Sequence, residues 1–265
     1  MGELRKRVIA GSFLAPVVAA CFFFSPPSWF IIFLAAVASV ALYEIAAMAR
    51  IKEKCILVFL TLIGLPLLYS NEFLLYILWL LASPLLCLLW SFFQKSEKQG
   101  DINKEIIRGA IVAVFGGVVI IIPLFSFYTL KVLNNWFPLI LLMAVWASDI
   151  CAFIAGKTFG KRPFAPLISP KKTYEGFLGA VLGSTIIMVS SHSLFGFGVV
   201  KSLIIGIAIG VFGQAGDLLE SAAKRVSGIK DSSSLIPGHG GILDRIDSFI
   251  FTAPLLMSIC TIWKV

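Results

Sequence analysis

The residues best placed to do chemistry lie between Gly216 and Asp247. This stretch holds five of the fourteen acids, four of the 22 Lys and Arg, and one of the two histidines. Asp217, Ser221 and Lys224 stand at i, i+4 and i+7, so they share one face of a helix. Asp244 and Asp247, three apart, share a face where the next apolar run begins. Between them Pro237-Gly238-His239-Gly240-Gly241 cannot continue a helix. A glycine-rich turn feeding a helix N-terminus can present backbone N–H groups to phosphate. Asp217 falls near a hydrocarbon boundary, where a bare carboxylate costs up to about 3 kcal/mol unless a cation or a Lys partner offsets it. Carboxylates beside Lys and Arg, with a phosphate-accepting turn, are what magnesium–nucleotide chemistry requires. Mg²⁺ takes oxygen ligands, commonly one or two carboxylates plus substrate phosphates, and transfer at phosphorus is then mostly positioning and charge neutralisation.

Each feature alone has a plainer explanation. Asp244 and Asp247 could complement the positive helix start, Lys224 and Arg225 could mark membrane topology, and Ser232–Ser234 could be ordinary loop. Their coincidence at paired helix ends is what points to a site. His239 is a weaker general-base candidate than a turn or phosphate contact, given its glycine neighbours.

The elements that must position these residues are apolar throughout. The 265 residues are 59% hydrophobic and 14% charged, with a mean hydropathy of +0.98. A soluble domain carries about 25% charged residues and could cover itself in water; this chain could not. Secreted disulfide scaffolds, nucleic-acid modules and disordered tails are excluded. Nine apolar runs long enough to suggest spanning helices lie near 8–24, 29–48, 55–70, 72–93, 106–130, 136–156, 174–192, 199–220 and 246–264, about 20 residues being the usual requirement. With a cytoplasmic N-terminus, 19 of the 22 Lys and Arg fall in inside segments, leaving Lys131, Lys201 and Lys264 outside. That asymmetry follows the positive-inside rule. The expected fold is therefore an all-α polytopic membrane protein of about nine spans, N-terminus cytoplasmic and C-terminus outside. It forms one transmembrane domain over 1–265, with N-terminal helices in 1–135 and the chemistry in 136–265. A signal-peptide or lipoprotein reading of Arg5-Lys6-Arg7 and Val18–Cys21 would add an anchor to a chain already embedded.

The net charge of +8 fits topology and anionic lipid or phosphate better than nucleic acid. Five cysteines are scattered singly with no metal-type spacing, and all five are expected as buried apolar side chains. Gly179/Gly183 and Gly206/Gly210 have the spacing of close helix packing. The acids Glu44, Asp149 and Asp217 would line an ion path if the chain were a transporter, although Glu44 and Asp149 fall toward the cytoplasmic ends of their spans, where pairing near the interface explains them as well.

The run Ser221-Ala-Ala-Lys224-Arg225, Lys230-Asp231, Pro237-Gly-His239-Gly240-Gly241-Ile-Leu-Asp244-Arg245-Ile-Asp247 resembles the signature of phosphatidate cytidylyltransferases, also called CDP-diacylglycerol synthases. Ala223 departs from that pattern, in which a larger aliphatic residue is usual. Asp149 to Lys161 and Ile168-Ser169-Pro170-Lys171-Lys172-Thr173-Tyr174-Glu175-Gly176 also look like family motifs. The resemblance is strong over about 145–250; the N-terminal half matches only as a set of apolar helices. It implies a multi-pass enzyme of the cell (inner) membrane, its site facing the cytoplasm, that makes CDP-diacylglycerol and pyrophosphate from CTP and phosphatidate with Mg²⁺. On this chain it implies Asp217, Asp244 and Asp247 as metal and catalytic carboxylates, with Ser221, Lys224 and Arg225 holding phosphate. Lys171, Lys172, Lys230, Asp231, His239, Gly240, Gly241 and Arg245 become substrate-binding candidates, and Asp149 and Glu175 further participants. The expected partners are both substrates and the bilayer, with no nucleic acid; a homodimer is left open. A CTP-dependent lipid-alcohol kinase and a transporter are the alternatives.

Overall fold

The computed structural model describes residues 15–93, 99–233, 235 and 240–264, with only the backbone described at 87–88, 90–93 and 99–106. His239, the Arg5-Lys6-Arg7 cluster and the first part of the first apolar run lie outside the described residues. Helix α1 (Ala15–Phe24) leads into α2 (Pro27–Met48), where Pro27 occupies the first turn, its missing N–H costing nothing there. The short helices α3 (Lys54–Leu62) and α4 (Gly64–Tyr69) follow, then α5 (Phe73–Phe93). Helix α6 (Gln99–Gly116) passes through one wide turn of π-helix at Gly117–Ile121 into α7 (Ile122–Leu133). The second half holds α8 (Trp136–Phe159), α9 (Tyr174–Ser190), α10 (Val199–Val226), α11 (Leu243–Ile246) and α12 (Phe249–Trp263).

Among the described residues, the apolar runs fall on helices. Five stretches are long and apolar enough to cross a membrane: Pro27–Met48, Ile107–Leu133, Trp136–Phe159, Val199–Val226 and Leu243–Ile262. Ala15–Phe24, Lys54–Tyr69, Phe73–Leu86 and Tyr174–Ser190 are shorter apolar helices. The purely α expectation needs one correction. Within the polar gap after α8, strands β1 (Pro163–Ala165) and β2 (Ser169–Thr173) pair antiparallel. The β2 end is welded to α9, because Thr173 Oγ1 accepts the Gly176 N–H at 3.1 Å as a helix cap.

Helices α8, α9 and α10 stack by backbone contact. A Cβ at Gly179 or Gly183 would run into the Cys151 or Ala147 carbonyl of α8, and one at Gly206 or Gly210 into Thr185 or Val181 of α9. The glycine spacing read in the sequence thus does what such spacing does in lipid. The opposite face of α9 carries Leu178, Leu182 and Ile186, each at least 60% exposed, at i, i+4 and i+8. An outward apolar stripe of this kind suits hydrocarbon, not water. The cysteine expectation holds for Cys260 but not for Cys21, Cys55 or Cys151, for the same reason, and the Cys87 side chain lies outside the described residues. Cys55 is exposed, Cys21 and Cys151 are half-buried, and Cys260 is buried; an apolar side chain here can be covered by surrounding lipid instead of by protein.

Lys131, 2% exposed, donates to the Phe22 and Phe23 carbonyls at 2.6 and 2.7 Å. It closes the end of α1, whose last carbonyls have no helical partner. That places the ends of α1 and α7 together. The ends of α2 and α10 meet at the start of α11, because Glu44 of α2 binds Leu243 and Lys224 of α10 binds Asp244.

Candidate active site

Helix α10 continues six residues past the predicted 220, so Ser221, Lys224 and Arg225 ride on its last turns. Gly216 lets the Asp247 carbonyl come close; a Cβ there would collide with it. As a result the carboxylates of Asp217, Glu220 and Asp247 converge, one oxygen from each lying within 4.8 Å of the others. Asp149 on α8 is within electrostatic range of Asp217 and Asp247. Four like charges so close repel one another strongly in a poorly solvated setting.

Two lysines partly offset that charge. Lys172 on β2 reaches Asp217 at 2.6 Å, the partner that a carboxylate at this depth requires. Lys224 lies between Glu220 and Asp244, 2.5 Å from an oxygen of each. Ser221 donates to Asp217 at 3.3 Å, and the Ser248 N–H donates to Asp247 at 2.7 Å. Glu220 is 3% exposed, and among the described residues its oxygens accept no hydrogen bond from backbone or hydroxyl.

Asp244 is in a different position. Besides Lys224, it accepts the Ser232 N–H at 3.1 Å, the Ser232 hydroxyl at 2.7 Å and the Gly241 N–H at 2.8 Å. Gly240 makes this turn possible by adopting φ +82°. Beside it Glu44, also 3% exposed, accepts the Ser233 and Ser232 hydroxyls at 2.6 and 3.1 Å. It also accepts the Ile242 and Leu243 N–H groups at 3.1 and 2.8 Å. The backbone donors expected to serve phosphate at Gly241 and beyond are thus directed at the protein's own carboxylates.

The remaining candidates are spread around this centre. Arg225 turns outward, donating to the Ile168 and Ile229 carbonyls at 3.2 Å, and so ties the hairpin to the end of α10. Lys171 is exposed, on the opposite side of β2 from Lys172. Lys230 and Asp231 are exposed on the following loop. Arg245 is exposed and interacts electrostatically with Asp149. Glu175 accepts the Lys161 N–H at 3.1 Å and braces the hairpin.

A profile of the cytidylyltransferase family matches residues 5–263. The chain belongs to the cytidylyltransferase family. A Bacillus subtilis protein named phosphatidate cytidylyltransferase is 31% identical over 281 residues, 97% of each chain. Proteins of the same name from Staphylococcus saprophyticus and Staphylococcus haemolyticus are 47% and 46% identical over 116 residues. Those two matches span 43% of this chain and 45% of each relative, so the chain covers less than half the length of the staphylococcal proteins it resembles.

In this cytidylyltransferase-family chain, Glu220 is not singled out by the sequence, and the role of Glu44 is only partly foreseen. Glu220 carried a usable signal: it lies three residues after Asp217 and four before Lys224, on the same face. Glu44 stood out as an acid near the end of its span, but its partners did not, because they lie nearly 200 residues further along the chain.

Proposed function

We propose that this chain transfers CMP from CTP to phosphatidate, giving CDP-diacylglycerol and pyrophosphate for phospholipid synthesis. The observation that carries this reading is the group Asp217, Glu220 and Asp247: three carboxylates within 4.8 Å, short of donors and flanked by Lys172 and Lys224. An all-oxygen set with excess negative charge fits Mg²⁺. Asp217, Glu220 and Asp247 would hold the ion, while Asp244, whose oxygens are already taken, keeps Lys224 in place. When bound, Mg²⁺ supplies positive charge for the CTP phosphates.

A phosphatidate phosphate oxygen attacks the α-phosphorus of CTP. A new P–O bond forms, and the bond from the α-phosphorus to the bridging oxygen breaks to release pyrophosphate. The nucleophile is already an anion, so no serine nucleophile and no strong base is required. The obstacle is repulsion between two polyanions. Lys172 and Lys224, each anchored by a carboxylate, stand at the site with fixed positive charge and need little reorganisation. Ser221 orients Asp217. Glu44, Ser232 and Asp244 hold the loop at 240–243 against α2, fixing the start of α11 and therefore Asp247.

The same proposal takes the chain as a nine-span protein of the cell (inner) membrane, N-terminus cytoplasmic and C-terminus outside, its site facing the cytoplasm. The concentration of Lys and Arg in alternate segments supports that topology. The transporter alternative is disfavoured by Glu44, whose two oxygens serve four loop donors instead of lining a path with Asp149 and Asp217.

The test is product analysis with purified protein in detergent. Pyrophosphate and CDP-diacylglycerol should appear only when CTP, phosphatidate and Mg²⁺ are all present. Formation of CDP and a phosphorylated lipid alcohol would instead identify a lipid kinase, and no turnover with any nucleotide would defeat the enzyme reading.

A further inference from the structure

A cavity of about 550 Å³ lies between α2, α6 and α10, against the α10 face that carries Glu220, Ala223 and Ser227. Its size is within the roughly 300–1,000 Å³ usual for small-molecule sites. Its two ends differ in character. Arg50, at the end of α2, and Arg108, on α6, line one end together with Ser227. Phe115, Val119 and Ile250 line the other. Arg108 and Val119 are three helical turns apart, so the lining changes from cationic to apolar over roughly 15 Å. Ile111 and Val226 on its rim are 61% and 90% exposed, so the cavity opens beside an outward apolar surface.

Two further observations bear on the arginines. Both are exposed, and neither makes an ion pair among the described residues. Arg50 is held at φ +57°, a left-handed conformation that glycine fills more cheaply at a helix end. Glu220 lies on the cavity wall and also belongs to the carboxylate group, because its position on α10 borders two faces: one with Asp217 and Lys224, the other with Ala223 and Ser227.

We infer that this cavity seats phosphatidate, with Arg50 and Arg108 gripping its phosphate and the apolar end taking the first part of its acyl chains. The inference rests on the reading of the chain as a phosphatidate-using enzyme and names where that lipid docks. A dianionic phosphomonoester suits two guanidinium groups, which bind phosphate through paired N–H donors. A lipid so held has its head level with the cytoplasmic helix ends and its chains directed along the apolar wall. Glu220 then connects this pocket to the centre where CTP reacts.

The experiment combines two measurements on the full-length protein in detergent. One is equilibrium binding of long-chain phosphatidate with neither CTP nor Mg²⁺ present; the other is turnover with separate KM values for phosphatidate and CTP. The variants are Arg50→Gly, which relieves the backbone while removing the guanidinium, Arg108→Gln, and the Arg50→Lys/Arg108→Lys pair. Loss of one charge-assisted phosphate contact should weaken phosphatidate binding about tenfold and raise its KM to match, with the CTP KM unchanged. The double-Lys variant should recover part of the loss. Diacylglycerol and inorganic phosphate, as competitors, should each displace the lipid poorly. Wild-type phosphatidate affinity in both single variants would overturn the inference, as would displacement by diacylglycerol as effective as by unlabelled phosphatidate. Effective displacement by inorganic phosphate alone would make this a free-phosphate site and overturn it too. Arginine-dependent binding in a wild-type protein that makes no CDP-lipid would leave the pocket standing and remove the proposed reaction.

Discussion

Lys224 has a carboxylate on each side, and the two belong to neighbourhoods of opposite kinds. On one side Asp244, with Glu44 beside it, is surrounded by donors: hydroxyls of Ser232 and Ser233 and backbone N–H groups of residues 232 and 241–243. On the other, Glu220 converges with Asp217 and Asp247, and the donors are few. A carboxylate with its lone pairs filled is a structural fastener, stable as it stands. Carboxylates facing one another are unfavourable until positive charge arrives. Residues of one type, a helix turn or so apart, are thereby divided between holding the fold and holding a ligand.

The division can be attacked directly. Replacing Asp217 or Asp247 by Asn should have the largest effect, lowering kcat by about a thousandfold or more while the detergent melting curve stays put or rises, since repulsion is relieved. A melting temperature that falls sharply in either variant would put these residues among the fasteners. Chelating divalent cations with EDTA should abolish turnover, and returning Mg²⁺ should restore it; full activity in EDTA would break the ligand half of the comparison. Glu44→Ala should do the reverse of Asp217→Asn. It strands several buried donors, at about 1–3 kcal/mol each, so a clear drop in melting temperature is expected, with activity lost in proportion to the folded fraction. Gly216→Ala should act between the two. A Cβ there would collide with the Asp247 carbonyl oxygen; pushing that carbonyl away from α10 by about 1 Å should reduce kcat about tenfold to a hundredfold with little change in KM. Lys171→Ala is the smallest effect expected, within about threefold on all parameters, because that side chain is exposed and opposite Lys172.

The comparison also shows how far spacing arithmetic reaches. The face shared by Asp217, Ser221 and Lys224 follows from 3.6 residues per turn, and the apolar runs follow from composition; both are local properties of the chain. The same arithmetic includes Glu220, yet gives no way to tell a carboxylate that is supplied with donors from one that is not. For Asp244 that distinction depends on Ser232 and Gly241 folding back, a loop geometry without periodicity. Glu44 sits near the end of α2 in an apolar run, and only tertiary structure brings it to residues 232–243. The hairpin after α8 has no local signal, because it is short, polar and carries Pro163 and Pro170, which cannot donate to a strand ladder. The lysine pair on β2 is visible in the sequence, but which of the two faces the site depends on strand pleat and register. The break between α3 and α4 and the wide turn at Gly117–Ile121 likewise arise from packing and leave no periodic trace.

The glycine contacts that join α8, α9 and α10 have a mechanical implication. Helices that touch main chain to main chain cannot slide or tilt against each other without collision, so these three behave as a stiff slab that carries Asp149, Lys172 and Asp217 at fixed separations. Among the described residues the wall formed by α2 and α6 has no such main-chain interlock, Gly116 meeting the Leu42 side chain instead, and the helical ladder loosens just beyond Phe115. Any widening needed to admit a bulky two-tailed molecule therefore falls to the N-terminal helices, which can yield while the reacting groups stay in register.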